Sequence, residues 1–356
     1  MGENKLDANK TVKEEEEVAV EVEIWRYVFG FVNMAAAKCA IELGIADVIE
    51  NHKTPITGSD LASIIGCEPS FLHRIMRFLV HERVFKEEPT SQGTMGYVQT
   101  PLSRRLLSRG GENSLADLLL LESSPVMLAP WHHLSTRVRA ISTPAFHGAH
   151  GKDVWEYAEA DSAHSKLIND AMACDARIVV PAILEGCGEV FDGVSTLVDV
   201  GGGNGMALSV LVQACPWMRG INFDLPHVVS AATECAGVQH VAGDMFDNIP
   251  KADAAFIMWV LHDWGDDECI QILKNCREAV PSDKGKVIIV ETVIKEKGGD
   301  KLEGARLMLD MIIMAHTTQG KERTLKEWDY VLKEAGFSKY NINPIRALQS
   351  VIEAFP

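Results

Sequence analysis

The fold is decided by the stretch Ser195-Thr-Leu-Val-Asp-Val-Gly-Gly-Gly-Asn-Gly-Met206. A short apolar, β-branched run that includes Leu197, Val198 and Val200 passes directly into four glycines among five residues. Such a run suits a strand buried on both faces of a parallel sheet, and the glycines let the backbone turn tightly and approach a ligand closely. The stretch therefore predicts a strand, a tight turn and a helix start, with a nucleotide-like ligand on the turn.

Strand and helix patterns alternate after this stretch. The predicted strands are Gly220–Leu225, Gln239–Asp244, Ala254–Leu261 and Lys286–Glu291, the predicted helices are Asp266–Val280 and Leu325–Phe337, and Tyr340–Ile345 with Ser350–Phe355 form a predicted terminal hairpin. Alternation of this kind is typical of a doubly wound α/β domain with a parallel sheet. We therefore expect an α/β fold in this half of the chain.

The glycine pattern by itself is a weak signal. A dinucleotide motif G-x-G-x-x-G would require glycine where Met206 stands. However, Asp224 ends the second predicted strand and Asp244 ends the third, at the sheet edge where open α/β sheets bind ligands. One acid is placed to accept hydrogen bonds from ribose hydroxyls and the other from an adenine amino group, which favours an adenosine-containing ligand.

The N-terminal part has a different pattern. Residues 20–49 show apolar helical spacing, helices follow near residues 57–65 and 71–84, and two short strands follow around Phe85 and Tyr97. Two helices and a strand pair resemble a winged-helix unit, which raises a DNA-binding regulator as an alternative function. Residues 54–109 contain seven Lys and Arg against five Asp and Glu, a weak basic excess for binding phosphates.

Composition limits the other classes of function. The 356 residues predict two domains, and a net charge of −16 argues against nucleic-acid or anionic-membrane partners. The eight cysteines lack paired CxxC spacing and are predicted to be reduced thiols. The first twenty residues are charged, without an apolar signal region, and no long apolar run predicts a membrane span, so we expect a cytoplasmic protein.

Five ordered motifs carry a resemblance to a known family. They are Leu197-Val-Asp-Val-Gly-Gly-Gly-Asn-Gly, Ile221-Asn-Phe-Asp-Leu-Pro-His-Val, Gly243-Asp-Met-Phe, Leu261-His-Asp-Trp and Gly320-Lys-Glu-Arg-Thr. Their order and spacing resemble the plant S-adenosylmethionine-dependent O-methyltransferases of the caffeic acid and alkaloid type. Residues 1–18 are polar, charged and poor in aromatics, which predicts a flexible tail. The resemblance implies a mainly α, winged-helix-like dimerisation domain (19–125) that helps to line the partner's active site, and a Rossmann-like methyltransferase domain (126–356).

The resemblance also implies where the cofactor, S-adenosyl-L-methionine, binds. Gly201 would approach its methionine part, Asp224 would bind the ribose, and Asp244 with Met245 would frame the adenine. Met258 stands where the family commonly has a lysine thought to bind the cofactor's carboxylate. A methionine cannot make that charged contact, so this position predicts weaker cofactor binding or a substitute group, and leaves a catalytically degenerate dimer partner as an alternative.

The predicted base is His262, which follows the fourth strand at the ligand-binding edge. A neutral imidazole can remove the proton of a phenol as its oxygen attacks a methyl group. The resemblance places Glu291 and Glu322 beside this histidine, where a carboxylate would fix the tautomer. A surface salt bridge with Lys321 or Arg323 is the alternative for Glu322. No His, Cys or carboxylate cluster has metal-ligand spacing along the sequence, so no metal is predicted.

The acceptor pocket is assigned by resemblance to apolar residues and one acid. The apolar residues are Met172, Trp259, Leu309 and Ile313, any of which taken alone also suits a protein core. Asp175 matches a stretch of alkaloid methyltransferases where an acid can pair with a substrate amine, and a helix-surface salt bridge is its alternative. The sequence thus predicts a homodimeric methyltransferase acting on a phenolic hydroxyl of a specialised metabolite, with an alkaloid preferred over a flavonoid or phenylpropanoid.

Overall fold

The computed structural model describes the backbone of residues 3–108, 113–139 and 143–356, with side chains from residue 15 onward in those ranges. The chain divides into two compact units, Met1–Leu119 and Leu120–Pro356. The boundary between them lies slightly before the predicted one at residues 125/126.

The N-terminal unit is mainly helical and contains a β-hairpin. Its elements are α1 (Glu3–Val28), α2 (Phe31–Glu42), α3 (Ile45–His52), α4 (Gly58–Ile65), α5 (Pro69–His81), β1 (Lys86–Pro89) and β2 (Met95–Val98), and α6 (Ala116–Glu122) crosses the boundary between the units. Local interactions define where two of these helices begin. Thr57 caps α4 by accepting a hydrogen bond from the Asp60 N–H, and Pro69 occupies the first turn of α5.

The first helix differs from the expected flexible tail, because the backbone is helical from Glu3 onward. The long apolar pattern of residues 20–49 is divided among α1, α2 and α3, with Gly44 in the left-handed region between the last two. A row of apolar side chains on this segment is exposed in the single chain: Val18, Val20, Val22, Ile24, Trp25, Tyr27, Val28, Phe29 and Phe31. These side chains form an apolar surface that a single N-terminal unit does not bury.

The C-terminal unit contains a helical segment followed by alternating strands and helices. The helical segment comprises α7 (Pro125–Leu128), α8 (Leu134–Arg139), α9 (Ala145–His150), α10 (Val154–Ala160) and α11 (Ser162–Cys187). Then follow β3 (Thr196–Val200), α12 (Met206–Ala214), β4 (Arg219–Asp224), α13 (Pro226–Val229), β5 (Val238–Ala242), β6 (Ala254–Met258), α14 (Asp266–Ala279), β7 (Lys286–Glu291), β8 (Val293–Ile294), α15 (Glu303–His316), β9 (Arg323–Thr324), α16 (Leu325–Glu334), β10 (Lys339–Pro344) and β11 (Ser350–Phe355).

The central sheet has seven strands in the order β10-β11-β7-β6-β3-β4-β5. The five strands from β3 to β7 run parallel, and the terminal hairpin β10–β11 joins β7 in antiparallel pairing. The chain proceeds outward from β3 to β4 and β5, then returns to the other side of β3 to form β6. This reversal makes the carboxyl ends of β3 and β6 the topological switch point, where α/β sheets bind their ligands.

Both faces of the sheet are buried, as the apolar strand runs predict. Val198 and Val200 point toward α14 and α16, whereas Leu197 points toward α11 and α12 with Leu208. Because successive side chains of a strand point to opposite faces, β3 packs against a different hydrophobic cluster on each face of the sheet. The resulting three-layer α/β/α sandwich holds the parallel strands in register, so the loops that follow them begin along one edge of the sheet.

Two predictions on the whole chain can be compared with the structure. All eight cysteines are free thiols, and five of them are buried, in agreement with the prediction of reduced cysteines. In the part of the chain that the structure describes, no helix is both long and apolar enough to cross a lipid bilayer.

Candidate active site

The glycine turn after β3 has the tight form that the sequence predicts. Gly201 and Gly203 have positive φ values of 72° and 57°, a region that side chains other than glycine rarely adopt. A Cβ on Gly201 would lie 2.7 Å from Val260 Cγ2, so the turn packs directly against the loop after β6. The turn therefore packs against Val260, which lies two residues before His262 in the sequence.

The acid predicted for the ribose is tied to this turn. Asp224 Oδ2 accepts a hydrogen bond from the Gly203 N–H at 2.8 Å, and Oδ1 accepts one from the Leu225 N–H at 2.7 Å. Each carboxylate oxygen has a second acceptor site for a ligand hydroxyl. Burial raises the pKa of Asp224, while the two backbone hydrogen bonds oppose that rise.

The residues predicted for the adenine lie after β5. Asp244 is exposed, and its Oδ1 accepts a hydrogen bond from the Phe246 N–H at 2.9 Å. Met245 is half-buried against the core below α14. Asn275 of α14, which sequence reasoning missed, fixes this loop by donating to the Met245 and Phe246 carbonyl oxygens at 2.8 and 2.9 Å.

Met258 is the last residue of β6, where it pairs with Val290 of β7. Its side chain is half-buried and packs against the apolar core on the α11 and α12 side of the sheet. Met258 therefore provides apolar contact and no charge. A lysine at this position would extend from the carboxyl end of β6, which neighbours the glycine turn after β3.

The strand before the predicted base is shorter than expected. We predicted β6 to continue to Leu261, but it ends at Met258 and is followed by Trp259 with a φ of 53°. The reason is a carboxylate, because Glu291 Oε1 accepts the Val260 and Leu261 N–H groups at 2.9 and 2.8 Å. These bonds replace ladder pairing and bend the chain into a single helical turn, Leu261–Asp263, that presents His262.

The imidazole of His262 lies in a cage of carboxyl groups. Its Nδ1 is 2.7 Å from Glu322 Oε1 and 3.8 Å from Glu291 Oε2, and its Nε2 is 3.8 Å from Asp263 Oδ1. All three predicted residues are buried, so the structure brings together the histidine and both glutamates. The surface salt bridge that was the alternative for Glu322 is wrong, because Lys321 pairs with Asp266 and Glu327 instead.

These carboxyls make the imidazole a strong base. Burial alone lowers the pKa of His262, but the fields of Glu291, Asp263 and Glu322, with the Glu322 hydrogen bond, outweigh it and raise that pKa to about 10. For Glu291 burial acts in the opposite direction: it disfavours the ionised carboxylate and raises the pKa to about 7, while the field of His262 opposes that rise. The hydrogen bond from Nδ1 to Glu322 leaves Nε2 as the ring nitrogen that can exchange a proton with a ligand.

Arg323 is a supporting residue that sequence reasoning assigned only as a possible surface partner. It is fully buried, and its guanidinium donates to the Leu261 and Trp264 carbonyl oxygens, both at 2.9 Å, and to Asp266 Oδ1. It also stacks over the Trp328 ring at 5.5 Å. Arg323 thus anchors both ends of the loop that bears His262, an arrangement that chain spacing does not reveal.

Of the residues predicted for the acceptor pocket, Trp259 and Ile313 lie near this base. The Trp259 ring is 5.6 Å from the His262 ring, and its Nε1 is buried without a hydrogen-bond partner. A Cβ added to Gly320 would lie within 3 Å of both the Ile313 side chain and the His262 carbonyl oxygen, so Ile313 is close to the loop that bears the base. Leu309 is buried one turn away on α15, and Met172 is half-buried on α11.

Asp175 is buried within α11, so the helix-surface salt bridge considered for it is wrong. One of its carboxyl oxygens accepts a hydrogen bond from Gln349 Nε2 at 3.2 Å, across 174 residues of sequence. Burial raises the pKa of Asp175 to about 7, while the Gln349 bond and the field of His262 oppose the rise. Gln349 is itself buried and was missed, because an amide next to a terminal strand gives no signal in sequence.

The expectation of no metal rested on spacing along the chain. In the described part of the structure, His262, Glu291 and Glu322 each offer a ligand atom within 4.8 Å of the others. The Nδ1 atom in this set already bonds Glu322, which is the arrangement of a base with an orienting acid. The absence of a metal requirement stays a prediction.

The residues around the switch point fit S-adenosylmethionine. The glycine turn, with positive φ at Gly201 and Gly203, suits close approach of a ligand to the backbone. Asp224 and Asp244 keep acceptor capacity after β4 and β5, where the hydroxyls and amino group of an adenosine are recognised. Together, the α/β sheet, this turn and the buried histidine define the class as a Rossmann-like, S-adenosylmethionine-dependent methyltransferase.

Comparisons with known proteins agree with that class. A family model described as an O-methyltransferase domain matches residues 131–338, and one described as an O-methyltransferase dimerisation domain matches residues 25–109. The chain therefore belongs to the O-methyltransferase family and uses S-adenosylmethionine.

Individual relatives cover nearly the whole chain. Acetylserotonin O-methyltransferase of Arabidopsis thaliana is 54% identical over 99% of this chain and 96% of its own. (R,S)-reticuline 7-O-methyltransferase of Papaver somniferum is 42% identical over 96% of this chain and 99% of its own. The solved structure of human N-acetylserotonin methyltransferase with S-adenosylmethionine has a TM-score of 0.82 over 94% of this chain and 97% of its own, at 21% identity, which shows a shared fold.

Proposed function

We propose that this O-methyltransferase methylates a phenolic hydroxyl, with His262 as the general base. The observation that carries the proposal is a buried imidazole whose Nδ1 bonds Glu322 at 2.7 Å, on the loop that packs against the glycine turn. When bound, S-adenosylmethionine supplies a methyl group made electrophilic by its positively charged sulfur. The chain's own residues then have to position the acceptor oxygen and remove its proton.

The raised basicity of His262 suits a phenol as the acceptor. A phenol has a pKa of about 10, so its proton passes more easily to this imidazole than to one with an ordinary pKa. His262 loses part of that basicity while a sulfonium cation is bound beside it, because two positive charges repel each other. The neutral imidazole required of a base is thereby favoured before the reaction, and Glu322 stabilises the imidazolium as it forms.

Glu291 and Glu322 have different supporting roles in this proposal. Glu291 fixes the backbone before His262 through two N–H groups, while Glu322 bonds the ring itself. Arg323 holds the same loop from its carbonyl side. The base is therefore preorganised, and little motion is needed when the acceptor binds.

The first candidate acceptor is a hydroxyindole amide such as acetylserotonin, supported by the relative that is 54% identical. The second is a phenolic alkaloid with a cationic amine, supported by the reticuline relative and by buried Asp175, which can pair with an amine when ionised. A flavonoid or phenylpropanoid is the remaining acceptor class, and flavonoid relatives are 42–44% identical.

We further propose a cytoplasmic homodimer. The dimerisation-domain match and the exposed apolar side chains between Val18 and Phe31 support self-association. Sedimentation of the purified chain should show a dimer, and a monomer at micromolar concentration would contradict this part of the proposal.

The test of the function is a mass-spectrometric screen of the purified chain with S-adenosylmethionine and four acceptors: acetylserotonin, reticuline, a flavonoid and caffeic acid. We expect a methylated product, formed fastest from acetylserotonin. His262→Ala should bind the cofactor normally by calorimetry while turnover falls about 10²- to 10⁴-fold. Turnover near that of the wild type would rule out His262 as the base.

The screen and a gel-shift assay together separate the rival functions. Cofactor binding without product from any phenol would support a catalytically degenerate dimer partner, with Met258 as its sequence signature. Salt-sensitive binding of duplex DNA in a gel-shift assay would support the winged-helix regulator.

A further inference from the structure

Two polar side chains lie side by side beneath the glycine turn. Asp199 of β3 and Asn222 of β4 are paired in register on neighbouring strands and are 2% and 0% exposed. A Cβ on Gly202 would lie 2.7 Å from Asp199 Oδ2 and 2.1 Å from Asn222 Oδ1. Both oxygens therefore face the same point under the turn, a few ångströms from each other.

Neither of these oxygens has a donor. Asp199 Oδ2 and Asn222 Oδ1 are both buried without a hydrogen-bond partner. The orientation of the Asn222 amide is fixed by its other end, because Nδ2 donates to the Gly203 carbonyl oxygen at 3.0 Å and lies 3.1 Å from His240 Nδ1. Turning the amide over would place two acceptor oxygens against each other at Gly203, which favours the orientation in which Oδ1 faces Asp199.

Two buried acceptors facing each other are costly, and an ionised carboxylate would make the contact repulsive. One proton on the carboxyl removes the conflict, because a neutral acid has an O–H that can donate to the amide oxygen. We propose that Asp199 is a neutral carboxylic acid that donates to Asn222 Oδ1, and that this bond positions the glycine turn to bind S-adenosylmethionine.

Asn222 and Gly203 connect this proton to the cofactor site. Asn222 Nδ2 binds the Gly203 carbonyl oxygen, and the N–H of Gly203 donates to Asp224, the residue assigned to the ribose. Asp199 is buried beneath the turn, so we assign it as a positioning residue that acts through Asn222 and Gly203. The proposal rests on cofactor binding at this turn, and it is independent of the acceptor's identity and of His262.

The electrostatic surroundings agree with the neutral form. Burial first, and then the negative field of Asp224, raise the pKa of Asp199 to about 8. His240 on β5 is the titratable group on the other side of Asn222, and its Nε2 faces the Thr233 carbonyl oxygen. When Asp199 ionises, its charge faces Asn222 Oδ1 and Asp224 together, so affinity for the cofactor should fall as pH rises past about 8.

The test compares variants of the full-length chain by calorimetric titration with S-adenosylmethionine. Asp199→Asn keeps the shape of the side chain, and its N–H can donate to Asn222 Oδ1 at every pH. The cofactor's own amino group titrates in the same pH range, so the ratio of the two Kd values is the readout. We expect the wild-type Kd, divided by that of Asp199→Asn, to rise about tenfold between about pH 7 and about pH 9.

A matched control is Asp253, which precedes β6 and contacts the opposite end of β3. Asp253 accepts hydrogen bonds from the Ser195 and Thr196 N–H groups, far from the turn, so Asp253→Asn should keep the wild-type pH dependence. Asp199→Ala removes the donor and should weaken binding at every pH. If that variant does not fold, the comparison with Asp199→Asn still stands.

A direct measurement is the infrared band of a protonated carboxylic acid. Other buried carboxyls are partly protonated near pH 7, so the readout is the difference between the spectra of the wild type and Asp199→Asn. That difference should contain one protonated-carboxyl band near pH 7, and the band should be lost near pH 9. A Kd ratio that stays constant with pH, or the absence of this band, would overturn the proposal. Because the readouts are cofactor affinity and a vibration, they remain interpretable even if no phenol is methylated.

Discussion

Replacing Glu322 by Gln tests whether the charge of this residue makes His262 a strong base. Glu322 Oε1 lies 2.7 Å from His262 Nδ1, and both side chains are buried. Gln has nearly the same size and can still accept the N–H of the ring, but it removes the negative charge that favours the imidazolium. We expect the pKa of His262 to fall, so that the neutral ring persists to lower pH.

The expected size of the effect follows from the kind of bond. A hydrogen bond to a charged group contributes about 1.5–3 kcal/mol and a neutral one about 0.5–1.5 kcal/mol, so the variant loses roughly 1.4 kcal/mol. That difference moves the acid limb of kcat/KM about one pH unit lower. Above the limb, kcat should fall by less than about tenfold, because a weaker base removes the phenol proton more slowly.

The assay is the initial rate of methylated product, measured by mass spectrometry across a wide pH range at saturating cofactor. Glu334→Gln, a change of the same type at an exposed position on α16, is the matched control and should leave the profile unchanged. Glu322→Asp keeps a charge at this position and should restore part of the acid limb. An acid limb that stays in place in a folded Glu322→Gln enzyme would refute the electrostatic role given to Glu322.

Three further predictions concern the cofactor, the acceptor and the core. Met258→Lys should lower the Kd for S-adenosylmethionine in calorimetry if the cofactor's carboxylate lacks a cation, and an unchanged Kd would show that another group already supplies it. Asp175→Asn should raise KM for a cationic alkaloid about tenfold or more while changing KM for acetylserotonin little, and equal losses would contradict pairing with an amine. Trp328→Phe leaves the Thr292 carbonyl oxygen without its 3.0 Å donor and should lower the free energy of unfolding by about 1–3 kcal/mol in urea titration, with exposed Tyr330→Phe as the control.

The strands, the glycine turn and the strand-end acids could be predicted from the sequence because each has a local cause. Apolar β-branched runs form buried parallel strands, and β7 begins and ends at the predicted residues, Lys286 and Glu291. Positive φ at Gly201 reflects a conformation that glycine alone adopts easily. The alternation of strands and helices gave the α/β class, and the order of five motifs gave the family.

Other features depended on tertiary contacts that no local pattern encodes. Strand β6 ended at Met258 because Glu291, on the neighbouring strand, accepted hydrogen bonds from the next backbone N–H groups. Without the family resemblance, no spacing rule would pair His262 with Glu322, which lie 60 residues apart. Gln349 beside Asp175 was likewise invisible in the sequence, because the contact spans 174 residues.

The stretch from Ser195 to Met206 shows where that division lies. The sequence by itself determined a strand, a turn and a ligand site, because side-chain periodicity and glycine act within a few residues. Only the tertiary structure decided that Asp199 would face Asn222 in a buried, donor-poor position, because strand order and register choose each residue's neighbours. The protonation of that carboxyl is therefore a property of the folded sheet, although the residue belongs to the motif that predicted the fold.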